Sequence, residues 1–123
     1  MNRWLDREVA YPGPMLTLCL NEKEYLATMR KLRVKNPPPF TLADASTHTL
    51  DGPDGVVCVV CLDGWEGRDP VEVAGLLVHE AVHVWQEYCA SIGEQKPATE
   101  QEAYGIQALS QRLMGEFARR VQQ

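Results

Sequence analysis

The chain has 123 residues, 45% apolar and 24% charged, with a formal net charge of -5. That length supports a single modest core, read as one domain over residues 1–123. The acidic balance excludes a general nucleic-acid binder, which needs a basic face; the cations Arg30, Lys31, Arg33 and Lys35, and the pair Arg119 and Arg120, read as solvated surface.

The nearly apolar runs, residues 55–62 and 73–78, are too short to span a bilayer. Residues 1–11 carry no continuous apolar stretch of the kind a signal peptide needs. The expectation is a soluble, cytoplasmic chain with no membrane partner. The cysteines at 19, 58, 61 and 89 are expected to stay reduced. Cys58 and Cys61 are three apart in a strand-like run, so they should point to opposite faces.

In chain order, Pro12-Gly13-Pro14 is a turn and residues 15–20 a short extended piece. Asn21 with Glu24 three residues later is a capping pair, opening a helix over 22–33 that Pro37-Pro38-Pro39 forbids from continuing. A hairpin follows, with strands near 42–50 and 56–62 about the Asp51-Gly52-Pro53-Asp54-Gly55 turn. Val56-Val57-Cys58-Val59-Val60-Cys61-Leu62 is the strongest strand signal. Asp69 caps a second helix over 70–91, with Pro70 at its first position and Val73, Leu77, Ala81, Val84 and Tyr88 on its core face. Gly93 ends it. A last amphipathic helix runs over 99–121, with Ala103, Ile106, Leu109, Leu113 and Phe117 inward. The expected class is α+β: an N-terminal helix, a small antiparallel hairpin sheet and two long helices.

His79-Glu80-Ala81-Val82-His83 carries the chemistry. Residues four apart share a helix face, so His79 and His83 can aim two ring nitrogens at one point. Zinc takes imidazole nitrogen at about 2.0–2.1 Å and keeps an open position in catalytic sites. Glu80 sits about 100° round the helix from His79, placed to take a proton from a metal-bound water. The motif lies inside a capped helix, as its geometry requires.

With these residues in place, 69–110 resembles the zincin metallopeptidases, and the preceding hairpin fits the resemblance. The resemblance implies a motif helix packed beneath a small sheet, with an edge strand, 42–50 or 56–62, lining a peptide cleft. The small size is also similar to minimal metallopeptidase-like domains of phages and prophages.

The motif supplies two ligands. Gln86 and Cys89 stand where the metzincin branch has a glycine and a third histidine. Cys89 and Glu87 run away from the site along the helix axis. The glutamate-ligand, thermolysin-like branch takes its third ligand from a second helix about twenty residues on, commonly followed by alanine. Glu102-Ala103 matches that by resemblance, and Glu100 is the alternative. Ile106 stands where that branch often has an acidic residue supporting the first histidine. Thr99 and Glu102 also read as a capping box, which would leave Glu102 a purely structural role.

The reaction expected is hydrolysis of a peptide or protein amide bond with Zn2+, Glu80 acting as base and then acid, and His48 lining the cleft. The alternatives are a catalytically inactive zincin-like metal-binding or phage assembly protein, and a metal-free partner surface on the two long helices.

Overall fold

The computed structural model describes residues 2–5, 13–53 and 55–121. Pro12 and Asp54, expected in turns, lie outside them. The elements run β1 (Met15–Cys19), α1 (Glu22–Lys31), β2 (Ala45–Gly52), β3 (Gly55–Leu62), α2 (Pro70–Ser91) and α3 (Thr99–Val121).

The expected order needs correcting. The first regular element among the described residues is a strand, not a helix, and the sheet is three-stranded and mixed. β1 pairs in parallel with β3, in the register Met15↔Val57 to Cys19↔Cys61. β2 pairs antiparallel with β3, from Ala45↔Leu62 to Gly52↔Gly55. The strand order β1-β3-β2 puts β3 in the centre. A parallel partner about forty residues away leaves no local signature, whereas the hairpin is announced by its turn residues.

The central strand explains its own sequence. Val56, Cys58, Val60 and Leu62 pack with Leu16 and Leu18 against α2 and α3. Val57, Val59 and Cys61 pack with Cys19 against Tyr25 and Met29 of α1. A strand buried on both faces needs no polar alternation, and β3 has none. The result is α1 on one face of the sheet and the α2–α3 pair on the other.

The caps follow the sequence with one shift. The Asn21 side chain accepts from the Glu24 N–H at 2.9 Å, but Glu24 reaches back to the Leu20 N–H at 2.9 Å rather than to Asn21. Its other oxygen pairs with Arg120, whose guanidinium also donates to the Leu18 carbonyl at 3.0 Å. Asp69 caps α2 through the Val71 N–H at 2.8 Å. Gly93 takes φ +76° past its end, where the Gly93 and Glu94 N–H groups bond back to Ala90 and Cys89. A side chain would strain that left-handed position. No helix among the described residues is long and apolar enough to cross a membrane.

Glu116 is a buried carboxylate on α3, 1% exposed. It accepts from the Arg3 Nε–H at 2.9 Å and from Arg119 at 3.0 and 2.8 Å. Burial opposes its charge, and the hydrogen bonds from Arg119 and Arg3 override that, holding the carboxyl below its usual range. A carboxyl depressed in the folded state contributes stability above its unfolded pKa and loses it as pH falls through the folded value. Glu116→Gln should therefore cost about 2–3 kcal/mol at neutral pH, since it removes a buried carboxylate's charge-assisted hydrogen bonds from Arg3 and Arg119. Urea midpoints of the two proteins should converge as the pH is taken down through the acid range. A constant gap would assign the cost to packing instead.

Candidate metal and acid–base site

α2 lies across the sheet so that one side of it faces β2. His79 and His83 are exposed on that side, while Glu80 is turned inward and 3% exposed. The two imidazoles meet edge to face, with centroids 4.8 Å apart and planes at 72°. Their Nε2 atoms stand 3.2 Å apart. The convergence follows from the four-residue spacing, which stacks the side chains one turn apart.

Two side chains that the sequence reading gave no role here touch the motif, one at Glu80 and one at His83. The Thr47 hydroxyl of β2 donates to Glu80 Oε1 at 2.8 Å. Gln86 Oε1 lies 3.3 Å from His83 Nδ1, on the ring edge away from His79. Each carries a faint sequence signal: Gln86 is three residues beyond His83 on the same face of α2, and Thr47 is at an inward position of a strand. Thr47, Thr49, His79, Glu80, His83 and Glu87 line a groove of about 290 Å³ between β2 and α2. β2 is the sheet's edge, and no described strand pairs with its outer side.

His48 is not brought to this groove. Strand alternation turns it to the opposite face of the sheet from Thr47. Its ring lies 5.0 Å from that of Tyr25, and its Nε2 is 2.9 Å from the Phe40 carbonyl. Glu102 is not brought to the histidine nitrogens either. Its Oε2 accepts from the Trp85 indole N–H at 3.2 Å. Trp85 is two residues past His83, roughly 160° away round the helix. Glu102 does border a depression with Gln86, the residue that touches His83. Its own N–H is bonded to Ala98 within the start of α3, so Thr99 does not form the expected capping box with it.

The pair passes part of a test for zinc. In a tetrahedron with bonds of 2.0–2.1 Å, two ligand atoms stand about 3.3 Å apart, close to the separation seen. Gln86 against Nδ1 is the kind of partner that fixes a ligating ring and its tautomer. Among the described residues, however, no third His, Cys, Asp or Glu joins the pair in a group able to hold a metal. The structure thus presents two corners of a site and a carboxylate beside it.

The cysteines stand apart from this chemistry. All four are free and buried. Cys58 faces α2 and Cys61 faces α1, as their spacing implies. Burial pushes the Cys58 thiol up to about 12, which makes it a poor nucleophile. The comparisons with family models, curated proteins and solved structures found no match.

Proposed function

We propose that the chain is a zinc-dependent hydrolase of peptide bonds, with His79 and His83 as metal ligands and Glu80 as the acid–base residue. The observation that carries this reading is the 3.2 Å convergence of the two Nε2 atoms beside a buried carboxylate, in a groove under an open strand edge. Glu102 is the proposed third ligand, on the resemblance of its spacing, and would have to leave the Trp85 indole to reach the histidines. Four free thiols suit a reducing compartment, and we place the protein in the cytoplasm.

When bound, zinc would supply an acidified water and a polarised substrate carbonyl. The chain's own residues do the rest. The Thr47 hydroxyl fixes Glu80 Oε1 and leaves Oε2 to accept the water's proton. Glu80 then delivers that proton to the departing amide nitrogen. Burial of Glu80 keeps its carboxylate from wandering, which is what a proton carrier of fixed reach requires. The N–H and C=O groups along β2 can pair with an extended peptide and lay it over the groove.

Elemental analysis of untagged protein tests the metal, on wild type beside Glu102→Ala and Glu100→Ala. The expected result is about one zinc per wild-type chain, lost with Glu102 and kept without Glu100. No zinc after zinc is supplied would end the reading. A second reading, a metal-binding protein without catalysis, rests on the same convergence of His79 and His83. Glu80→Gln separates the two: it should keep zinc in either case, and abolish hydrolysis of a mixed peptide library only if the first holds.

A further inference from the structure

A second cavity lies where α2 gives way to α3, away from the histidines. It encloses about 280 Å³, and its lining includes Trp85, Tyr88, Cys89, Ile92 and Tyr104. That is the small end of ligand sites, suited to a headgroup rather than a large cofactor. Trp85 and Tyr88 stand with ring centroids 6.1 Å apart, tilted by 47°. Tyr104 lines the cavity from α3 and is 66% exposed.

The charged residues that line this cavity and the adjoining depression are acidic. Glu94 lines it, and both Glu94 and Glu102 border the adjoining depression. The Cys89 thiol at its floor is pushed up by burial and then by Glu102 and Glu94, so both carboxylates are felt inside. α2 ends here with no basic residue in its last turn, its final carbonyls being capped by the Gly93 and Glu94 N–H groups. Between Trp85 and Gln111 the sequence holds one cation, Lys96.

We propose that this cavity binds an alkylammonium group, held against Tyr88 and Tyr104 with the buried Trp85 ring behind them, and neutralised by the Glu94 carboxylate. Aromatic faces attract a cation through their quadrupole, most strongly where water is excluded. The apolar walls take the alkyl part, and the Glu94 carboxylate takes the charge. A neutral ligand of the same shape would gain only the first of these. None of His79, Glu80 and His83 lines the cavity, while Glu102, the proposed third ligand, borders the depression beside it.

The test follows the Trp85 indole N–H resonance of 15N-labelled protein during titration. Choline represents a free quaternary ammonium, and N-acetyl-lysine methylamide the side chain of a bound peptide. The neutral isostere 3,3-dimethylbutan-1-ol is the control. At least one cation should shift the resonance with a midpoint about tenfold below that of the neutral compound; the tighter cation identifies the source. Tyr104→Ala and Glu94→Gln, both at exposed positions, should each weaken the cation about three- to fivefold. Equal midpoints for cation and neutral compound, no shift with any, or unchanged binding in both variants would overturn the proposal.

Discussion

Replacing His83 with alanine should weaken zinc binding about a hundredfold or more while leaving the fold intact. Structural zinc is worth roughly 10–16 kcal/mol over its ligand set in small domains, so one ligand is worth about 3 kcal/mol and its loss about a hundredfold or more in affinity. The side chain itself is exposed on α2 and sits outside both core clusters. Exposed substitutions of that kind usually change stability by less than about 0.5 kcal/mol. Thermal unfolding of the metal-free proteins should therefore superimpose. Added zinc should raise the midpoint of wild type, because it binds only the folded state, and His83→Ala should need about a hundredfold more metal for the same rise. Gln86→Leu grades the effect: losing the partner of Nδ1 should weaken zinc about 10- to 100-fold without removing it. Zinc that stabilises wild type and His83→Ala equally would place the metal elsewhere and remove the basis for the hydrolase reading.

The separate legibility of helix and site shows in these residues. His79, Glu80 and His83 could be placed together from sequence because a helix converts spacing into proximity, and Asp69, Pro70 and Gly93 fix where that helix begins and ends. β1 resisted the same treatment. Five residues after a proline-rich turn look extended, but their pairing with Val57–Cys61 depends on a partner that local pattern cannot name. The same limit hid Thr47, which reaches Glu80 across 33 positions of sequence. His48 and Thr47 are neighbours with opposite destinations, and only the register of β2 against β3 decides which faces α2. Glu102 is the instructive case. Its distance along the chain suits a ligand, but its indole partner is Trp85, whose position round α2 differs from that of His83. Sequence separation sets which turn of α3 lies beside α2; it does not set which side chain claims the carboxylate.

The same indole makes Gly105→Ala the most damaging small substitution to expect in α3. By helix propensity alone, alanine in place of a mid-helix glycine stabilises by about 1 kcal/mol. At Gly105 a Cβ would lie 2.3, 2.6 and 2.7 Å from three carbons of the Trp85 ring. The ring has little freedom to retreat: Trp85 is 4% exposed, and its N–H is tied to Glu102. Relief requires either breaking that bond and turning a large aromatic, or moving α3 away from α2. Overpacking of this kind costs about 1–3 kcal/mol in cores that can adjust. A rigid ring against a helix backbone belongs at the upper end, so a net loss of about 2 kcal/mol is expected after the propensity gain. Gly115 supplies the control on the same helix, exposed and with nothing within 4 Å of its added Cβ. Gly115→Ala should raise stability by about 0.5–1 kcal/mol. Opposite signs for one chemical change on one helix would show that the Trp85 ring, and not backbone propensity, dictates glycine at 105. Two stabilising results would mean that Trp85 leaves its seat at little cost, and that the aromatic wall of the α2–α3 cavity is not rigid.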